Sequence, residues 1–357
     1  MKALIIGAGA IGCLVGGKLA QAGHEVTLVA RPGTAAIIRQ QGIELHDSRG
    51  QHRITSVAAA GSISAALHVA AYDLAVLTVK SYDTAAALNE FVQAAGGAPP
   101  PILSLQNGVG NEEALAAALG SANVLAGVIT TPVSVLGPGA IQVDKPAYTL
   151  GLSPWHADVP ASLVDATQSA LTEAGFNVKR FAAAQSMKWT KLLMNMVGNA
   201  ACAILDMTPA QEMAEDVLVD LEIDAWREAL DVMQAAGIHP ANLGGYPFRL
   251  LAPLIRMLPK PLLRSALRAK AGGARGGKMP SLHIDLHSGR KQNEVAWLNG
   301  AVVKKGEEVG VRTPINRMLT DVLFGMIDDG GRRARWRHNH ARILLAAEEY
   351  RSRSGYR

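Results

Sequence analysis

An α/β half followed by an all-helical half is what this 357-residue sequence predicts, and three observations carry the prediction. Short β-branched runs alternate with Ala-rich stretches over the first 150 residues, the pattern of a parallel sheet covered by helices. From Gln185 onward the apolar period turns helical and no strand pattern follows. Hydrophobic residues make up 49% and charged residues 18%, which supplies a large core and excludes the disordered class. At roughly 100–200 residues per domain, the length implies two domains. The boundary is expected near residue 182, giving domains 1–182 and 183–357.

Strands are expected at residues 3–6, 26–30, 74–79, 102–105 and 124–129. Residues 42–57 read as a hairpin-like insertion turning at Asp47-Ser48-Arg49-Gly50. Residues 139–143 and 148–152, joined by a Pro-containing turn, suggest an added antiparallel pair. Asp158 is a candidate N-cap for a helix running to about Ala174, and a strand-like run follows at 176–181. In the second half, long helices are expected at 186–205, 209–236 and 292–310. Between them, residues 244–277 are rich in Pro, Gly and Arg, with Leu251, Leu254, Leu258 and Leu262 at helical spacing. Pro253, Pro259 and Pro261 argue against one straight helix there.

Lys2, the apolar run to Gly17 and then Ala20-Gln21-Ala22 superficially match a secretory leader. Five glycines make that run a poor apolar helix, and it merges into the next strand as one βαβ pattern. No stretch reaches about 18 uninterrupted apolar residues, so no membrane span is expected. Two cysteines, Cys13 and Cys202, fit a reducing cytoplasm.

Gly7-Ala8-Gly9-Ala10-Ile11-Gly12 follows the first strand and opens a helix, the arrangement of a dinucleotide-binding, Rossmann-type unit. There the first Gly permits the tight turn and the second lets backbone approach the pyrophosphate. The third allows close helix–strand packing, and the helix start receives the phosphate charge. An NAD site places an acid at the end of the second strand to accept from the ribose 2′-OH. Here Arg31 stands there, with no acid until Glu44. A guanidinium suits a 2′-phosphate, so NADP(H) is the expected cofactor.

Lys191, Asn195 and Asn199 advance by about 40° each along a helix, giving a polar stripe about 12 Å long. The flanking faces carry Trp189, Leu192, Leu193, Met194, Met196 and Val197. Asn prefers caps to helix interiors, so two of them four apart on an apolar helix suggest ligand binding. A Lys ammonium is protonated at neutral pH and can give a proton to a carbonyl oxygen as hydride reaches the carbon. The Asn amides offer donors and acceptors to hydroxyl and carboxylate oxygens.

With these motifs the chain resembles the ketopantoate reductase (2-dehydropantoate 2-reductase) family over nearly its whole length. The resemblance rests on residues 7–12, Val79-Lys80, Gln106-Asn107-Gly108-Val109-Gly110 and the Lys191/Asn195/Asn199 stripe. It continues through Pro280-Ser281-Leu282-His283-Ile284-Asp285, Asn293-Glu294-Val295-Ala296-Trp297-Leu298-Asn299-Gly300 and Gly310-Val311-Arg312-Thr313-Pro314-Ile315-Asn316. It implies an NADPH-dependent reduction of 2-dehydropantoate to (R)-pantoate, a step towards pantothenate and coenzyme A. It implies Lys80, Asn107 and Val133 near the cofactor, Lys191 as proton donor, and Asn195, Asn199 and Ser281 as substrate ligands. Glu294 is implied to contact the cofactor and orient Lys191. A further substrate-side Asn would fall near Pro209, and the basic segment at 249–278 is an insertion.

Two alternatives stay open on the sequence. One is a paralogous 2-oxo-acid or β-hydroxyacid oxidoreductase with another side-chain pocket; the other is a non-catalytic NADP(H)-sensing protein. The formal charge of +5 is local. Residues 249–278 carry eight Lys or Arg and no acid, and residues 332–357 carry eight Arg against Glu348 and Glu349. The remainder has 19 basic and 28 acidic residues, about −9, so a nucleic-acid partner is not expected. The expected partner is a small 2-oxo acid. The basic segment is read as extra helix packing on its own domain or at a homodimer contact, and residues 332–357 as a solvated terminal helix.

Overall fold

The computed structural model describes residues 1–274, 278–289 and 291–353, so Arg275, Gly276 and Gly277 of the basic stretch lie outside the described residues. The chain divides into two compact units, Met1–Lys188 and Trp189–Arg357, with the division inside the Ala184–Met196 helix.

Twelve strands belong to the first unit: β1 (Lys2–Ile6), β2 (Glu25–Val29), β3 (Ile43–Asp47), β4 (Gly50–Ile54), β5 (Ala58–Ala60), β6 (Leu74–Leu77), β7 (Ile102–Ser104), β8 (Val124–Ile129), β9 (Val133–Gly137), β10 (Ala140–Val143), β11 (Tyr148–Pro154) and β12 (Phe176–Arg180). The large sheet has the order β12-β11-β8-β7-β6-β1-β2-β5. Its six strands from β8 to β5 pair parallel throughout. β6 is buried over all four residues and β8 over all six, as expected of strands covered on both faces. The winding runs outward from β1 in one direction through β2 and β5, and in the other through β6, β7 and β8. That is the Rossmann-type order, and it opens a crevice at the carboxyl ends beside β1 and β6.

Register makes those ends level. Ile6 pairs with both Val29 and Leu77, and Leu77 pairs with Ser104. Gly7 therefore follows the row directly, Arg31 stands two residues beyond it, and Lys80 and Asn107 three beyond it.

The expected pairing of residues 139–143 with 148–152 does not occur. β10 joins a separate four-stranded sheet, β4-β3-β10-β9, while β11 lies antiparallel to β8 in the large sheet. Burial explains the parting: β10 alternates half-buried and buried residues, whereas β11 has a continuous buried run from Leu150 to Ser153. Asp158 does not cap the Ala161–Glu173 helix, whose N-cap is Pro160; its carboxylate accepts from Ser121 instead.

The second unit is helical; among its described residues β structure is confined to an isolated bridge between Leu243 and Tyr246. The N-terminal α/β domain and the all-α C-terminal domain agree with the fold class read from sequence. Three expected long helices are each broken. The 186–205 helix is Ala184–Met196 followed by Ala200–Leu205, divided at Gly198, whose φ of +62° leaves the helical region. Glu215, in an extended conformation, divides the 209–236 helix into Pro209–Ala214 and Asp216–Ala235. The 292–310 helix is a 3-10 turn, Glu294–Trp297, and then Asn299–Val309, with Leu298 off helical geometry between them.

The basic segment forms two helices, Phe248–Met257 and Lys260–Ala274. Its buried stripe is Phe248, Ala252, Ile255, Leu263 and Leu267, while Leu254 and Leu262 of the expected stripe are exposed. Four of its described cations face the acidic Asp216–Ala235 helix. Arg264 pairs with Asp216 at 2.7 Å and Asp220 at 2.6 Å, Lys260 with Asp224 at 2.7 Å and Arg256 with Asp231 at 2.8 Å. Of the expected solvated helix at 332–357, residues 354–357 lie outside the described residues, and the rest is not simply solvated. The Gly330–Trp336 and His340–Ser352 helices bury Trp336, Ile343 and Ala347. No described helix is long and apolar enough to cross a membrane.

The hydrogen bond from Arg264 holds the Asp220 carboxyl below the usual carboxylate range. A folded pKa below the unfolded one stabilises the fold above about pH 4, and that contribution is lost as pH falls through the folded value. Arg264→Ala should therefore melt below the parent at pH 7, and the gap should close on acidification below about pH 4. Thermal melts across pH check this.

Candidate active site

The glycine turn is shaped by contact. Gly7 has φ of +110°, and a Cβ on Gly12 would lie 1.8 Å from the Gly7 carbonyl oxygen. Only glycine lets the first helix, Ala10–Gln21, start this close to β1. Thr78 completes the turn, its hydroxyl donating to the Gly7 carbonyl at 2.7 Å. A Cβ on Gly9 would meet nothing within 4 Å, so the outer side of the turn is open. No side chain caps the helix start, and no acid lies in its first turn. Free N–H groups beside open space fit a pyrophosphate. Ala8, Ala10 and Ile11 line the turn half-buried, and Arg31 is exposed at the start of the Pro32–Gln41 helix. Val133 opens β9 and packs half-buried against the first-unit core.

Lys80 and Asn107 lie on two loops that a buried polar network ties together. The Gln106 amide donates to the Val79 carbonyl at 2.9 Å and to the Thr84 hydroxyl at 2.8 Å. Thr84 donates to Asn111 Oδ1 at 3.0 Å, and Asn111 Nδ2 donates to Ser81 Oγ at 3.1 Å and to the Asn107 carbonyl at 3.2 Å. Ser81 closes the circuit on the same carbonyl at 2.9 Å. Beneath it lies Lys188, 2% exposed, which donates to the Gln106 carbonyl at 2.6 Å and pairs with Glu112 at 2.8 Å. Glu112 is fully buried.

Sequence reasoning passed over Lys188 and Glu112. They are 76 residues apart, so no local spacing joins them. The available signal was a lysine directly before Trp189 on a largely apolar helix, where an uncompensated charge is costly.

In the second unit, Lys191 and Asn195 sit half-buried, four apart, on the Ala184–Met196 helix. That helix is pinned from outside. Trp226 Nε1 donates to the Leu193 carbonyl at 2.8 Å, and Thr190 Oγ accepts from the Ala241 N–H at 2.8 Å. Asn199 does not continue the stripe, because the break at Gly198 makes it the first residue before the Ala200–Leu205 helix. Its amide clamps backbone: Nδ2 donates to the Asn195 carbonyl at 2.9 Å, and Oδ1 accepts from the Leu282 N–H at 3.1 Å. Asn293 holds the other side of Leu282, donating to its carbonyl at 3.0 Å while accepting from the Val295 N–H. The two Asn side chains thus bring the exposed Ser281, at the start of the Ser281–His287 helix, close in structure to the buried Glu294.

Lys188→Met leaves the Glu112 carboxylate buried without its partner, a change expected to lower unfolding stability by about 3–5 kcal/mol. Adding Glu112→Leu should restore most of that loss, since the unpaired charge is then removed. Denaturant titrations of both variants measure the two values.

Profiles of a family described as ketopantoate reductase PanE/ApbA match residues 3–155, and its C-terminal counterpart matches residues 183–326. The chain is 27% identical over 332 residues to a 2-dehydropantoate 2-reductase of Pyrococcus horikoshii, covering 93% of this chain and 99% of the relative. The crystal structure of a PanE/ApbA family ketopantoate reductase from Ralstonia eutropha superposes with a TM-score of 0.73 at 26% identity, covering 98% of this chain and all of that one. A D-mandelate dehydrogenase in complex with NADH and anilino(oxo)acetate superposes at 0.76 with 22% identity, covering 92% and 98%, a likeness of fold alone. Both halves of one family profile, in order and on the two units just described, carry the assignment: the chain belongs to the ketopantoate reductase family and is an oxidoreductase that uses a nicotinamide cofactor.

Proposed function

We propose that the protein reduces 2-dehydropantoate to (R)-pantoate with NADPH, the first unit taking the cofactor and the second supplying the proton. The observation that carries the reading is Lys191 beside Asn195 on a pinned helix, with Asn199 clamping the start of the helix that bears Ser281. When bound, a nicotinamide cofactor would supply the hydride that reduces C2 of the substrate. Lys191 gives a proton to the C2 oxygen, so that the 2-oxo acid, one hydride and one proton become the 2-hydroxy acid. Asn195 and Ser281 are assigned to the substrate's hydroxyl and carboxylate oxygens. Asn199 acts chiefly by holding Leu282. Glu294 is assigned to orienting Lys191 and touching the cofactor. Gly7, Ala8, Gly9, Ala10, Ile11 and Gly12 would hold the pyrophosphate and Arg31 the 2′-phosphate; Lys80 and Asn107 would lie near cofactor and substrate, and Val133 would meet the cofactor through backbone.

A second reading, reduction of another 2-oxo acid on the same machinery, is favoured by one observation. Pro209, where a substrate-side Asn is expected, opens its own helix under a Thr208–Gln211 capping box and offers no side-chain amide. NADPH oxidation measured against 2-dehydropantoate and a panel of 2-oxo acids separates the two. Consumption with 2-dehydropantoate at a far higher kcat/KM than with the panel supports the first reading, and the reverse order supports the second.

Lys191→Ala should lower kcat by about 10²–10⁴-fold, the usual contribution of a positioned acid. Unimpaired turnover would remove Lys191 from the role. Arg31→Ala should raise KM for NADPH while leaving that for NADH nearly unchanged, because only the former carries the 2′-phosphate. Equal effects on both cofactors would dismiss Arg31 as the selector.

A further inference from the structure

One cluster in the second unit joins side chains whose shared chemistry is metal ligation. His283 and His287 stand four apart on the Ser281–His287 helix, so both imidazoles leave the same face one turn apart. Their rings stack with centroids 4.1 Å apart and planes inclined by 27°. Asp206 reaches them from the end of the Ala200–Leu205 helix, with Oδ1 at 2.7 Å from His283 Nε2. One ligand atom from each of the three residues lies within 4.8 Å of the others.

We propose that Asp206, His283 and His287 bind a divalent transition-metal ion of the zinc class. Two imidazoles and a carboxylate are the donor set that zinc, nickel and copper take, and three protein ligands leave a position for water. Bonds of about 2.0–2.1 Å in tetrahedral geometry set ligand atoms ~3.3 Å apart, so the farthest pair closes by at most ~1.5 Å. His287 is exposed and has the room to turn.

Two further contacts fit the assignment. Asp206 adopts φ of +54°, a left-handed conformation shared among described non-glycine residues only with His338. The His338 N–H in turn fastens that bend by donating to the Leu205 carbonyl at 2.9 Å. The outer oxygen of Asp206 accepts from Arg337 Nε at 2.9 Å, which orients the carboxylate as an outer partner does for a ligating one. The guanidinium also carries a positive charge beside the ion, so the site binds more weakly than an uncharged neighbour would allow. An ion here joins the end of the Ala200–Leu205 helix to the helix that begins at Ser281.

The test uses the full chain without an affinity tag, stripped with a chelator and titrated with zinc chloride by calorimetry at neutral pH. Cobalt(II) absorption reads the ligand geometry. One ion per chain and a higher melting temperature are expected. Substituting the exposed His287 by Ala should weaken binding by more than about 100-fold, beyond the loss of an outer partner. Circular dichroism of each variant separates loss of a ligand from loss of the fold. Absent binding, or binding that survives both His283→Ala and His287→Ala in folded protein, overturns the proposal. A melting rise with inorganic phosphate in place of zinc, abolished by His287→Ala, would overturn it too and make the cluster an anion site.

Discussion

The close approach of the first helix to β1 is the constraint on which the first unit is built. A side chain on Gly12 would run into the Gly7 carbonyl, so the helix begins where it does only because that position is bare. Its N-terminus is then held at the level carboxyl ends of β2, β1, β6 and β7. Every candidate cofactor residue of the first unit except Val133 follows one of those strands within a few residues. Site geometry in this half is thus a consequence of sheet register, with the loops adding chemistry to positions already fixed.

That dependence explains what could be read directly. Parallel strands buried on both faces announce themselves as continuous apolar runs, and β1, β2, β6, β7 and β8 lie close to where the runs place them. The glycine turn is legible because Gly7 and Gly12 each answer a local steric demand. Gly198 is glycine too, yet its role could not be read: nothing beside it marks a positive φ, and an unbroken helix fits the same apolar pattern. The break changes the meaning of Asn199. In a continuous helix it would be the third rung of a polar stripe; at the start of a new helix its amide holds the Leu282 backbone. A periodicity argument counts residues, and a single left-handed residue is enough to offset the count.

Long-range polar pairing was the other illegible feature. The network beneath Lys80 and Asn107 joins the segment after β6, the segment after β7 and the start of the Ala184–Met196 helix. Each member is an ordinary polar residue in its own sequence context. Together they form an enclosed circuit in which the Lys188 ammonium meets a carboxylate and a carbonyl, the condition under which a charge can be buried at all. Such a circuit specifies one arrangement of the two loops, because shifting either would leave buried groups unpaired.

The two basic segments account for the positive balance of the chain, and much of their charge is met within the second unit. Four aspartates of the Asp216–Ala235 helix receive Arg256, Lys260, Arg264, Arg268 and Arg351. Five cations on one acidic helix produce little field at a distance, since opposite charges this close cancel beyond a few ångströms. Outside the two segments the chain has 19 basic and 28 acidic residues, these paired aspartates among the latter. The whole chain then keeps a formal charge of only +5, a weak general attraction for anions. In the proposed reaction, capture of the cofactor and the 2-oxo acid is assigned to individually placed donors: the uncapped helix start at Gly9, the exposed Arg31, and the half-buried Lys80 and Lys191. Each works at short range, where a positioned charge outweighs the average potential around it.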